Sequence, residues 1–374
     1  MALNDYAILV GISRYADYVN LPPLKGPVRD VALMYKWLAD PSCGAVPSGN
    51  IKSIVTNELA ADAAPWQVRS PAFEEFRDAL FSIILKQDRS DYERRENSRL
   101  YLYMSGHGFC EKRVREAHAA LYLANADPFY AYNIYGTWHA QWIRDHGLFG
   151  EVVLIMDCCR EIEQTKQVNV PPYPSIFDVP SYPLTTNVGT GSKVHVLEMY
   201  AAPRGGYAEE RAISSLNNDV HGLLTIAFLD ALEHALPGKK EIPSGAIKDY
   251  IEQRWEHICW PDPADRPEIY TPPSGKIVFK RRASADLIQR IQLNKLRAGD
   301  SLTIIGEGLK DVAKIKLEME RAHISWADGH VTEVPIKSSV FELPLSASLY
   351  RAVSAAQGDL LNLPFQAGEP NVVL

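Results

Sequence analysis

The sequence predicts an α/β protein: a mostly parallel sheet flanked by helices, with a small β-rich C-terminal domain. Short apolar runs alternate with stretches of helical periodicity through the first part of the chain, the pattern of a parallel sheet covered on both faces. From about residue 284 that alternation gives way to strand-like runs in succession. A chain of 374 residues is also too long for one ordinary core, so a large domain (1–283) and a smaller one (284–374) are expected.

The elements follow in order. YAILVGIS (6–13) reads as a buried first strand. GPVRDVALMYKWLAD (26–40) sets Val28, Val31, Leu33, Met34, Trp37 and Leu38 near helical spacing, with Pro27 in the first turn. IKSIVTN (51–57) is a strand, and SPAFEEFRDALFSIILKQ (70–87) a helix opened by Ser70 as cap and an early proline. SRLYLYMSGHG (98–108) is strand-like and ends in Ser-Gly-His-Gly. A helix around TWHAQWIRDHG (137–147) leads to VVLIMDCCRE (152–161), where five apolar residues run into an acid and two adjacent cysteines. Residues 161–193 have little periodicity, and five prolines fall within 167–192, so a long irregular loop is expected. Order resumes with the strand KVHVLEMYAA (193–202) and the helices GLLTIAFLDALEHAL (222–236) and SGAIKDYIEQRWEHI (244–258). After GKIVFK and the basic RRASADLIQRIQLNKLR come SLTIIGEG, AKIKLEMERAHISW, HVTEVPIK and SVFELPLS, each read as a strand.

Composition narrows the function classes. Hydrophobic content of 46% and charged content of 23% are those of a soluble globular protein. A net charge of −7 argues against nucleic acid or an anionic membrane as main partner. No apolar run approaches a membrane span, and YAILVGI lacks the basic leader of a signal peptide. Five cysteines without framework spacing fit a reducing cytoplasm, so a cytoplasmic location is expected. No Cys/His cluster has zinc spacing, and no metal or other cofactor is expected.

The chemistry gathers beyond strand ends, where open parallel sheets place their sites. A cysteine nucleophile needs a base or cation to raise its thiolate fraction, and backbone donors for the oxyanion. SGHG supplies His107 between two glycines, which let backbone come close to a substrate carbonyl. Fifty-two residues later Cys159 stands at the next strand tip.

YLYMSGHG followed by VVLIMDCCR resembles the caspase-like cysteine peptidases, in particular their bacterial and metacaspase-type branch. AILVGISRYADYVNLPPLKGPVRDVALMYKWL resembles that family's opening strand and Leu-x-Gly-x-x-x-Asp helix start. MYAAPRGGYAEE (199–210) resembles the segment lining its substrate cleft, and HGLLTIAFLDAL its small-subunit helix. The resemblance covers roughly residues 5–280. Glu161-Ile162 depart from it, since the family often has Gly or His-Ser-Gly after the cysteine. What it implies is a cysteine endopeptidase with Cys159 as nucleophile, His107 as general base, and the N–H groups of Cys159 and Gly108 as oxyanion hole. Cys158 takes the place of a small Ser or Ala and is expected to be a packing residue. Successive residues of an extended segment point opposite ways, so only one of the two thiols can face the cleft.

The resemblance also implies a pocket. Asp157 and Asp30 match acids with which the metacaspase-type branch selects Arg or Lys, and Glu209 and Glu210 fall where animal caspases carry a Trp and a selecting Arg. Converging carboxylates would bind guanidinium through bidentate hydrogen bonds and repel an acidic side chain. The expected activity is therefore cleavage after Arg, with Lys slower. Relatives are often cut in the loop between their subunits; Lys166 is the expected self-cleavage site here, because Arg160 abuts the nucleophile. Calcium activates some metacaspases, although no EF-hand-like spacing is present. Cys110 reads as a packing thiol, Asp127 as a turn residue, and His118, His139 and His146 as surface or core residues. The competing readings are a catalytically silent scaffold that binds a partner, and cysteine chemistry on another ester or amide. The C-terminal domain could dock a protein substrate or an activator, and bacterial relatives serve signalling or defence. Monomer is the expected state.

Overall fold

The computed structural model describes residues 5–16, 21–56, 70–86, 92–111, 119–126, 131–163, 194–213, 216, 218–236, 239, 241–259, 262–272, 277–280, 287–292, 300–306, 311–318, 320–326, 331–336, 340–345, 349–354, 361–366 and 372–373. The chain divides into two compact units, Met1–Arg282 and Ala283–Leu374.

The first unit begins with β1 (Tyr6–Gly11), α1 (Pro27–Ala39), β2 (Ile51–Val55), α2 (Phe73–Ile84) and β3 (Arg95–Ser105). Three short strands follow, β4 (Gly108–Glu111), β5 (Ala120–Tyr122) and β6 (Asn133–Tyr135), then α3 (Gly136–Asp145), β7 (Phe149–Asp157) and β8 (Glu161–Glu163). The remainder is β9 (His195–Tyr200), β10 (Glu210–Ile213), β11 (Asp219–Gly222), α4 (Leu223–His234), β12 (Glu241–Pro243), α5 (Ser244–Ile258), β13 (Glu268–Tyr270) and β14 (Val278–Lys280). The central sheet has the order β13-β9-β7-β3-β1-β2. Its strands pair in parallel except β13, which runs antiparallel to β9.

Strand alternation sorts the apolar residues into two cores. Ile8, Val10, Leu102, Met104, Leu154 and Met156 face α2 and α3, packing with Phe76, Leu80, Ala140 and Ile143. Ala7, Leu9, Tyr101, Tyr103, Val153 and Ile155 face α1, α4 and α5, packing with Met34, Leu38, Phe228 and Trp255. Burial on both faces explains why these strands read as continuous apolar runs rather than as alternating ones. No helix among the described residues is long and apolar enough to cross a membrane.

Several boundaries differ from the sequence reading for local reasons. Helix α2 starts after Ala72, not at Ser70: the Glu75 carboxylate accepts the Ala72 N–H at 2.9 Å, and Ser70 Oγ donates to that same carboxylate at 2.7 Å. Ser70 thus buttresses the acid that closes the first turn. The expected loop 161–193 begins as a strand, since β8 pairs with β4; residues 164–193 lie outside the described residues.

In the second unit every described element is a strand. β15 (Leu287–Gln292), β16 (Ser301–Gly306), β17 (Asp311–Leu317), β18 (Arg321–Trp326) and β19 (Val331–Pro335) come first. β20 (Val340–Leu345), β21 (Leu349–Ser354), β22 (Leu361–Gln366) and β23 (Val372–Val373) complete it. They form a six-stranded antiparallel sheet, β19-β18-β17-β16-β21-β22, and a three-stranded sheet, β20-β15-β23. AKIKLEMERAHISW, read as one strand, is a hairpin: Glu318 N–H donates to Arg321 O at 2.8 Å and the chain reverses. Leu302, Ile304, Ile315, Leu317, Ala322 and Ile324 are buried at every second position, the period-2 signature of one covered face.

Candidate active site

Two sheets share one register. In the central sheet β3 pairs with β7, Ser105 opposite Asp157. Beyond it β4 pairs in parallel with β8, Phe109 opposite Glu161. From Arg99 onward the offset is 52 residues in both ladders, and His107 and Cys159 are 52 residues apart in sequence. Both lie in the short links between the paired strands, His107 between β3 and β4 and Cys159 between β7 and β8. Gly106 N–H reaches Asp157 O at 3.3 Å across this gap. Gly108 abuts the cysteine turn so closely that a Cβ there would lie 2.5 Å from Cys158 Sγ and 2.6 Å from Cys159 O. The second glycine of Gly-His-Gly therefore fits the backbone of the cysteine turn, not only a substrate carbonyl as the sequence suggested.

The two thiols separate as alternation requires. Cys158 continues the inward row of Met156 into the core under α2 and α3, 1% exposed. Cys159 is half-buried; its Sγ receives the Ala208 N–H at 3.3 Å and lies 3.7 Å from Ala208 O. Burial pushes the Cys159 thiol up, the Ala208 N–H pulls it down, and the charges of Glu161 and Asp157 raise it again.

His107 is fixed at both ends. Its backbone N–H donates to Tyr15 Oη at 2.7 Å, and ring Nε2 lies 2.9 Å from Pro22 O. A carbonyl only accepts, so Nε2 carries the proton and Nδ1 is left as the basic nitrogen. Burial lowers the imidazole below its ordinary value, partly offset by the Pro22 carbonyl and by Glu210 and Glu161. Among the described residues no hydrogen bond joins Cys159 to His107.

The acids are divided by the strand pattern. Asp157 extends the row of Val153 and Ile155 toward α4, where its Oδ2 accepts the Thr225 N–H at 2.9 Å and the Thr225 hydroxyl at 2.6 Å. It thereby caps α4 from a neighbouring strand. Gly222 permits this, since a Cβ there would sit 2.2 Å from Asp157 Oδ2. Asp30, fully buried, takes His221 Nδ1–H at 2.8 Å, the Gly222 N–H at 3.1 Å and the Ser105 hydroxyl at 3.2 Å. Burial and the adjacent Asp30 charge push Asp157 up to about 7, with the Thr225 bonds opposing. Burial likewise raises Asp30, against the hydrogen bonds of His221, Gly222 and Ser105.

The glutamates part company. Glu210 turns toward Asp30: its Oε2 and Asp30 Oδ2 would lie 3.0 and 3.1 Å from a Cβ on Gly26. Its carboxylate accepts the N–H groups of Lys25 at 3.0 Å and Gly26 at 2.7 Å. Glu209, expected in the pocket, is not brought there; it is exposed and pairs with Arg211 at 2.6 Å. The two are consecutive at the start of β10 and face opposite ways.

Residues 4–245 match the family described as Caspase domain. The chain belongs to the caspase-domain peptidase family. This caspase-family chain is also 32% identical over 108 residues to a probable protease from a Desulfuromonadales bacterium, a match covering 28% of the chain and 12% of that relative's length.

Sequence reasoning missed four parts of the caspase-family site: His221 on Asp30, Ala208 on the thiol, Pro22 on the imidazole, and Arg160. Arg160, weighed only as a cleavage point, is fully buried. It bonds Glu268 at 2.6 Å and Ala202 O at 3.1 Å, stacked 4.4 Å from the Tyr200 ring. His221 sits just before GLLTIAF and the Pro22 carbonyl just before the Leu-x-Gly turn, so those motifs were the available signal; Ala208 had none. Cys110 is buried against Arg160, a packing thiol. His139 and His146 each point Nδ1 at the carbonyl four residues earlier. Lys166, Asp127 and His118 lie outside the described residues. Among the described residues no group of three or more His, Cys, Asp or Glu side chains is arranged to hold a metal ion.

Proposed function

We propose that the protein is a cysteine endopeptidase that cuts after Arg, and more slowly after Lys, through a Cys159–His107 dyad. The observation that supports this reading is the common 52-residue offset of the two ladders, which puts the backbones of residues 107 and 159 on adjoining strand ends. With the thiol raised and the imidazole lowered, the resting pair is neutral. His107 then acts as a general base through Nδ1. Cys159 Sγ gives its proton to His107 as it attacks the scissile carbonyl, and the carbonyl pair moves onto oxygen. The backbone N–H groups of Cys159 and Gly108 are the donors for that oxyanion, worth about 3 kcal/mol each. Collapse expels the amine with the proton from His107, and water, deprotonated by His107, hydrolyses the thioester.

Asp30 and Asp157 are the acids proposed for the pocket. A guanidinium beside them would favour the ionised carboxylate against the burial and the Asp30 charge that hold a proton on Asp157, whereas an aspartate side chain would oppose it. The alternative, a silent scaffold, draws on Sγ being engaged by Ala208 rather than His107. Turnover of fluorogenic peptides ending in Arg, Lys or Asp, by wild type, Cys159→Ala and Cys158→Ala, decides between them. Activity on Arg that vanishes only in Cys159→Ala is expected. Faster turnover of Asp than Arg peptides sinks the specificity, and no turnover by any variant favours the scaffold.

A further inference from the structure

We propose that Glu210 is a positioning residue for the general base: it grips the main chain that presents the Pro22 carbonyl to His107. This rests on the reading of His107 as base. Glu210 belongs to β10, which pairs with β11, Glu210 opposite Gly222. Its Oε1 accepts the Lys25 N–H at 3.0 Å, and Oε2 accepts the N–H groups of Lys25 at 3.1 Å and Gly26 at 2.7 Å. These link residues 184 and 185 positions apart. A carboxylate that accepts from two consecutive backbone N–H groups is well placed to hold a loop.

The loop it holds has no regular structure from Leu21 to Lys25, and Pro22, Pro23 and Lys25 are exposed. Its other tether is the Leu24 N–H, which donates to Ser13 O at 2.9 Å. Between these tethers and the Pro22 carbonyl lies only Pro23, whose φ is locked by its ring. Fixing Leu24, Lys25 and Gly26 therefore fixes the direction of Pro22 O, and Pro22 O fixes which nitrogen of His107 bears the proton. Segment 208–210 thus touches both halves of the dyad: Ala208 holds the thiol directly, and Glu210 holds the base through the loop.

The test uses the full-length chain with Glu210→Gln, which keeps one acceptor, and Glu210→Ala, which keeps none. In the wild type, nitrogen-15 NMR of the histidines is expected to find neutral His107 as the Nε2–H tautomer. Loss of the carboxylate should mix its tautomers and move the acid limb of the kcat/KM profile to lower pH. It should also cut kcat on Arg peptides by roughly ten- to a hundredfold, Ala more than Gln, with KM and the Arg-to-Lys ratio little changed. An unmoved tautomer, or an Arg-to-Lys ratio that collapses while kcat holds, overturns the proposal and makes Glu210 a bystander or a pocket residue. Should Glu210→Ala not fold, the tautomers of wild type and Glu210→Gln still decide. Failure of the underlying reading appears separately, as activity that survives His107→Ala.

Discussion

Adjacent cysteines at the tip of β7 differ in surroundings because alternation sends Cys158 into the core and leaves Cys159 half-buried. Cys158→Ala removes a buried thiol packed on Gly108 and is expected to cost about 1–2 kcal/mol of stability while sparing activity, read from urea midpoints beside peptide turnover. Cys159, raised by burial, should alkylate with iodoacetamide at a rate still climbing above pH 9 in the free enzyme; a plateau near neutral pH would mean a preformed thiolate. Asp157 provides the pH test. Its folded value of about 7 lies above the ordinary carboxyl value near 4, so the folded state binds the extra proton. The stability it contributes is complete below about pH 4 and is lost as pH rises through about 7. Wild type should therefore lose a few kcal/mol relative to Asp157→Asn over that range, and denaturation curves that stay parallel at each pH would refute it. The placement of His107 and Cys159 just past strand ends was legible because their motifs are local. Glu209 was misplaced because a strand's facing cannot be known before its first paired residue.

At the scale of elements, α4 is anchored by acids that belong to other elements. Gly222 offers no side-chain cap, and Asp157 and Asp30 supply acceptors from β7 and α1. Thr225→Val keeps the shape but removes the hydroxyl between Tyr103 and Asp157. It is expected to cost about 1–3 kcal/mol and to weaken Arg peptides more than to slow chemistry, seen as a higher KM at similar kcat. Arg160→Met should cost about 1–3 kcal/mol by leaving the buried Ala202 carbonyl without its donor, measurable by thermal unfolding. The long elements were readable from sequence because a buried parallel strand or a two-faced helix repeats its signal over many residues. β4, β5, β6 and β8 were not: each is three or four residues long, too short for a period, and is defined by its partners. β15 hid inside a basic run, and the β17–β18 turn had no Gly or Pro to mark it.

For the whole molecule, the two compact units suggest a division of labour. A chain ending at Arg282 keeps both cores of the first unit and is expected to cleave short peptides as well as the full chain does. Loss confined to a natural protein substrate would assign docking to the second unit; unchanged cleavage of that substrate would exclude it. Within the first unit, β7 and β9 are joined by six registered pairs from Glu151–His195 to Met156–Tyr200, while the peptide between them passes through residues 164–193. Covalent continuity there is thus separate from cohesion. A protease nick at Lys166 or elsewhere in that stretch would leave two polypeptides interlocked by one ladder and both cores, migrating apart in detergent and together in native buffer. A broken backbone would then mark a new chemical state of a single particle rather than its destruction.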